Sequence, residues 1–200
     1  MYMGDVKSKT FLDTNASSAT FVAAAARPTT TFTLAKSSFG TNTARKITAT
    51  TAGTSDNGKT VTIVGKDHNN EDATEVITLT GSAETSSGTT TAFLSITSAT
   101  VSAQPAANVS LGMTADVFGS IFQGRTRVRQ VNAESGGSIG SVLFRNGSLT
   151  GTALLTVRTG ATAGDVNTVN IPQDGILYKD GAFVTFDETQ CNSATVYFDG

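Results

Sequence analysis

The chain has 200 residues, of which 38% are hydrophobic and only 15% charged, with a formal net charge of −2. That length allows one large or two small domains, and the slight negative charge excludes wholesale neutralisation of nucleic acid. A single cysteine, Cys191, and a single histidine, His68, exclude an internal disulfide and any site built on two imidazoles. Core volume must come from 11 Phe with scattered Val, Ile and Leu, since there is no Trp; that suits two thin sandwiches better than one thick globule. Typical soluble domains carry roughly 25% charged residues. A surface poor in charge fits a chain that faces other subunits, or a repetitive or extracellular β-protein with a neutral coat. No apolar run reaches the ~18 residues of a membrane span. The first residues lack the apolar stretch of a signal peptide. The expectation is a chain made in a cytoplasm, with no membrane partner and no sequence-specific nucleic-acid partner.

About one residue in six is threonine, and in chain order it alternates with β-branched and aromatic residues. Residues 1–17 show no sustained period and read as an N-terminal arm. Strands are predicted at 18–24, 29–35, 45–51, 59–65, 74–81, 90–102 and 107–111. Ala23–Ala26 resembles a helical turn, but Pro28 and the surrounding threonines favour strand and loop. Lys59–Gly65 (KTVTIVG) and Glu75–Gly81 (EVITLTG) alternate strictly, and the polar turn Asp67–Asp72 joins them as a hairpin. Asn57-Gly58 is the strongest local turn, because type I′ needs positive φ at both central positions. A break is expected between Gly112 and Gly119. Strands follow at 121–132, 138–145, 152–158, 167–171, 175–179, 182–187 and 194–199, with turns at Gly136-Gly137, Asn146-Gly147, Asp174-Gly175 and Asp180-Gly181. The reading is an all-β chain of two small antiparallel sandwich or barrel-like domains in tandem, 18–115 and 116–200.

Charge is segregated along the chain. No Lys or Arg lies between Lys66 and Arg125, whereas Asp67, Glu71, Asp72, Glu75, Glu84 and Asp116 are present. Residues 121–160 then carry Arg125, Arg127, Arg129, Arg145 and Arg158 against Glu134 alone. Beyond them Asp165, Asp174, Asp180, Asp187, Glu188 and Asp199 face a single Lys179.

Few residues suggest chemistry. His68 sits in a polar turn, where it is a poor general base, and no Gly-x-Ser-x-Gly elbow accompanies it. Asp67, Asn69, Glu71 and Asp72 bunch oxygens as calcium loops do, but lack the bend glycine and distal bidentate Glu. A polar hairpin turn explains them. No phosphate-binding glycine loop opens a helix. Asp187 and Glu188 could serve glycoside hydrolysis, but the aromatic platforms for sugar are scarce: Tyr2, Tyr178 and Tyr197 only. No enzymatic activity, cofactor or metal is expected. One pattern has geometric content. In an extended strand Arg125, Arg127 and Arg129 share a face while Thr126 and Val128 take the other. The stripe is either a docking site for carboxylates or phosphates, or a solvated face balanced by neighbouring carboxylates. Arg145 and Arg158 are candidates to extend it.

Two stretches carry a resemblance. Gly58–Asp67, Glu75–Gly81 and Thr91–Ser102 resemble a β-domain recurrent in tailed-bacteriophage virion proteins. Arg127–Val131, Ile171–Val184 and Val196–Gly200 are similar to another small phage structural module. The resemblance implies a virion component without enzymatic activity, made in the host cytoplasm, whose partners are other virion proteins and copies of itself. The expected role is capsid decoration or cement. Alternatives are a neck or tail component, adaptor- or tube-associated, and a receptor- or glycan-binding fibre module.

Overall fold

The structure is a computed structural model that describes residues 5–13, 15–51, 53–80, 88–172 and 174–200; Tyr2 and Glu84 lie outside them. Strands make up about 60% of the described residues and no α-helix occurs among them, so the fold is all-β and sandwich-like, as the alternation predicts. In chain order the strands are β1 (Lys7–Leu12), β2 (Ala23–Ala26), β3 (Ala44–Thr51), β4 (Thr60–Asp67), β5 (Asp72–Thr78), β6 (Gly88–Val101) and β7 (Val109–Phe122). They continue with β8 (Thr126–Ser135), β9 (Gly140–Asn146), β10 (Ala153–Thr159), β11 (Val166–Asn170), β12 (Ile176–Tyr178), β13 (Ala182–Asp187) and β14 (Cys191–Asp199).

The chain divides into two compact units. Unit 1 comprises the described residues of Met1–Asn15, with Gly40–Thr43 and Asp116–Gly200; unit 2 comprises Ala16–Phe39 and Ala44–Ala115. Strand β7 crosses from one to the other, its first half counted with unit 2 and its second with unit 1.

Unit 1 packs two antiparallel layers. One has the order β1-β14-β8-β11, with β12 also paired to β8; the other runs β10-β9-β13 and the second half of β7. Alternation supplies the core: Val128, Val131, Ala133, Ala194, Val196 and Phe198 point inward from the first layer, and Val117, Val142, Phe144, Val184 and Phe186 from the second. Lys7–Leu12, expected to belong to a loose arm, is instead the edge strand beside β14, in register from Lys7↔Phe198 to Leu12↔Ser193. Its lack of period has a simple cause. Only Phe11 of the six is buried, so the strand carries one anchor and no repeat.

Unit 2 is a ladder in the order β7-β3-β6-β4-β5, with β2 beside β7. Ile47, Ala49, Val61, Ile63, Phe93, Ile96 and Ala99 alternate into its core. Residues 29–35, predicted as a strand, touch β6 through the single bridge Thr31↔Thr100 rather than a continuous ladder. Phe32 of this segment and Phe39 beyond it still enter the core. The Arg45 side chain is wholly buried and donates to the carbonyls of Thr114 and Ala115, both at 2.7 Å.

The two units divide between Ala115 and Asp116, inside the Gly112–Gly119 interval where a break is expected, but the chain runs through it as continuous strand, with both glycines inside β7. They make room for crossing chain. A Cβ at Gly112 would sit 2.2 Å from the Ser18 carbonyl oxygen, and one at Gly119 would sit 2.3 Å from the Phe11 ring. The glycines mark close approach, a meaning that a single sequence does not separate from that of a turn.

Unit 2 also holds a buried carboxylate. Asp56, on the short 3-10 turn Thr54–Asp56, accepts hydrogen bonds from the N–H groups of Ala106 (2.6 Å) and Ala107 (2.9 Å) and pairs with Lys59 Nζ at 2.8 Å. Burial raises its pKa, but the Lys59 ammonium and the two N–H groups outweigh burial and hold it at about 2. This anchors the 102–108 loop to the turn.

Two outcomes follow from this packing. Gly112→Ala and Gly119→Ala should both lower the urea midpoint, Gly112→Ala the more, because it meets backbone that cannot rotate away. Asp56, depressed below its unfolded value, contributes stability in full above about pH 4 and loses it as pH falls through about 2. Acid titration of the parent should show this loss. Asp56→Asn should cost about 2 kcal/mol at neutral pH and should show less of the acid-dependent loss.

Candidate functional site

Strand β8 places the arginines. Its burial alternates, with Thr126 and Val128 in the core and Arg127 and Arg129 on the outer face. Arg125 lies before the strand, in the exposed bend that links β7 to β8. The expected stripe of three is therefore two strand arginines and one from a bend.

The neighbours of β8 fix their surroundings. Arg127 is flanked by Asp199 on β14 and Leu177 on β12. Arg129 reaches Asp199 Oδ2 with both Nε (2.6 Å) and a terminal nitrogen (2.5 Å). Asp199 Oδ1 is buried and has no hydrogen-bond partner. Arg127 donates to the Asp174 carbonyl at 3.2 Å. That carbonyl is held by the Asp174-Gly175 turn, where Gly175 has φ 73° and a Cβ would sit 2.4 Å from the Val128 oxygen. Only glycine allows the turn to lie this close to β8. Arg125, Thr126, Arg127, Leu177, Asp199 and Gly200 line a shallow depression of about 250 Å³. Among the described residues no carboxylate lies within ion-pair distance of Arg125 or Arg127, so the depression keeps a surplus of positive charge.

Arg145 and Arg158 are not part of it. They project from the outer face of the other layer of unit 1, since Val142, Phe144 and Val157 on the same strands face the core. Arg145 is engaged there by Thr185 Oγ1 (3.2 Å) and the Gly151 carbonyl (2.9 Å), while Arg158 is exposed on β10. The acid-rich tail is spent mostly elsewhere: Asp180 accepts from Asn146 Nδ2 and Asp187 from the Thr189 N–H. Sequence reading missed Asp199 as the partner of Arg129, because no local spacing pairs residues 70 apart.

The other chemical candidates are structural. Asp67 Oδ1 accepts the N–H groups of Asn69 (2.8 Å) and Glu71 (2.9 Å), which closes the hairpin turn, and Lys66 pairs with Asp72 at 2.9 Å. Among the described residues no group of three His, Cys, Asp or Glu side chains is arranged to hold a metal ion. Burial lowers the His68 pKa, opposed by Asp67 and Glu71. Cys191 is buried and its thiol donates to the Ser193 carbonyl at 3.1 Å; burial pushes its pKa up to about 12. Tyr178 is wholly buried between the layers and Tyr197 is half-buried on β14.

No protein family, curated protein or solved structure matches this chain.

The pairing predicts an asymmetry within the arginines. Arg129→Ser leaves the Asp199 carboxylate without its partner and should lower stability by about 1 kcal/mol, whereas Arg125→Ser should change it by less than about 0.5 kcal/mol. Urea titration of the two variants measures the difference. Cys191 should resist a thiol-reactive dye at pH 8 in the native protein and react on unfolding, since both burial and the raised pKa withhold the thiolate.

Proposed function

We propose that this protein is a non-enzymatic structural component of a tailed-phage virion, acting in capsid decoration. The observation that carries this reading is the character of the outward strand positions. In unit 2 many of them are threonine: Thr48, Thr50, Thr60, Thr62, Thr97 and Thr100; in unit 1, Ser141, Ser193 and Thr195 share the outer faces with Arg127, Arg129, Asn132, Glu134 and Arg145. Short hydroxyl side chains lose little rotamer freedom when another subunit covers them. They also spare the contact the cost of removing charges from water. A surface of this kind suits a protein held by many repeated contacts, and it agrees with the resemblance of the β4–β6 and β8–β14 segments to phage structural modules.

The fibre alternative is less well supported. Glycan and receptor modules present aromatic rings at loop tips, yet every described Phe and Tyr is buried or half-buried. An enzymatic role is also less well supported, because His68 has its pKa lowered by burial and sits in a hairpin turn.

Quantitative mass spectrometry of purified virions tests the proposal. A copy number commensurate with the shell lattice is expected; a number matching a single ring would move the protein to the neck or tail, and absence would end the reading. Re-addition to particles lacking the protein tests the docking face. The triple variant Arg125→Ser, Arg127→Ser, Arg129→Ser should remain folded but bind particles more weakly than the parent, with a smaller dependence on salt. Equal binding across a salt series would make the arginines a solvated face.

A further inference from the structure

The depression on unit 1 has a counterpart elsewhere on the same chain. The β4–β5 hairpin ends in Asn70, Glu71 and Asp72, all exposed, and the Asp72 side chain is 92% accessible. Glu71 makes no ion pair among the described residues, and Asp72 meets only Lys66, itself partly exposed. Asn70 adopts φ 67°, the left-handed conformation that turns the chain sharply and leaves these side chains at the tip. No Lys or Arg follows in the sequence until Arg125; Lys66, which precedes the tip, pairs with Asp72 and leaves the Glu71 carboxylate as the charge without an ion-pair partner among the described residues.

The two features match in shape and charge. A hairpin end is convex; the depression between β8, β12 and β14 is concave and has room for an acidic side chain. The tip offers two carboxylates and a carboxamide. The depression offers two guanidinium groups with no carboxylate within ion-pair distance among the described residues. Planar guanidinium groups bind carboxylates bidentately, which gives such a contact direction as well as charge.

We infer that the protein associates with itself head to tail, the Asn70–Asp72 hairpin tip of one copy seating in the Arg125–Arg127 depression of the next. A contact between two different patches is heterologous, so each copy keeps one free tip and one free depression, and association continues into a ring or a chain. The contact is small and electrostatic. It is therefore weak in solution and sensitive to salt, and it gains strength when copies are already held side by side on a surface. Self-association is independent of virion incorporation, so the copy-number experiment and the one below succeed or fail separately.

Sedimentation velocity of the full chain across a concentration series decides the matter. The parent should show a sedimentation coefficient that rises with concentration at low ionic strength and stays monomeric at high salt. Arg125→Glu/Arg127→Glu and Glu71→Lys/Asp72→Lys should each remain monomeric at low salt, with self-association weakened about tenfold or more. An equimolar mixture of the two variants should regain association, because each reversed tip then meets a reversed depression. If reversal at Arg127 disturbs the fold, as seen by circular dichroism, Arg125→Glu mixed with Glu71→Lys performs the same exchange at exposed positions. A parent that is monomeric at every concentration and low salt overturns the inference. So does a charge-reversed variant that associates as the parent does, or a mixture that stays monomeric.

Discussion

Both units depend on strand β7. Its first half supplies Val109, Leu111 and Met113 to the core of unit 2, and its second half supplies Val117 and Ile121 to the core of unit 1. A strand buried on both faces cannot show polar alternation, and β7 does not. Its sequence, VSLGMTADVFGSIF, mixes apolar and very small residues because the chain approaches it from several sides. Gly112 and Gly119 are the points where that approach is closest. The same tolerance makes them the points where an added methyl group costs most.

The division of labour among charges follows from burial. Asp56 and Arg45 are ionised groups placed inside unit 2, and each is held by backbone partners: N–H groups for the carboxylate, carbonyls for the guanidinium. A buried charge without such partners would be strongly destabilising. On unit 1 the gradation runs the other way. Arg129 is neutralised by Asp199, Arg127 meets only a carbonyl, and Arg125 reaches solvent. Arg125 and Arg127 have no carboxylate within ion-pair distance among the described residues. A chain that is otherwise nearly neutral thus concentrates its recognisable electrostatics at a few points, which favours specificity over strength.

The absence of a match to known proteins leaves the physical reading of the surface to bear the functional argument. Threonine-rich strand faces, aromatics that are buried or half-buried, and a depression lined by Arg125 and Arg127 mark the described surface. Here the perturbed groups are dispersed: Asp56 in a loop anchor, Cys191 and Tyr178 in the unit 1 core, and His68 in a turn.

By itself the sequence determined the secondary structure of most of this chain. Period-two alternation at Lys59–Gly65, Glu75–Gly81, Ala182–Asp187 and Ala194–Asp199 is a local property; β4 (from Thr60), β13 and β14 cover the stretches it marks, while β5 begins earlier, at Asp72, and ends at Thr78. It also determined that Arg127 and Arg129 share a face, because the pleat of one strand fixes that. What it did not determine was everything that depends on residues distant in the chain. Only the tertiary structure decided that Lys7–Leu12 completes the layer of β14, that Gly112 and Gly119 are points of close approach within one strand, and that Asp199 claims Arg129 but not Arg127. Only the tertiary structure put Arg145 and Arg158 on the opposite outer face. The physical reason is the same in each case: alternation says which side of a strand a residue takes, but the partner on that side comes from a strand whose position is set by packing, not by spacing along the chain.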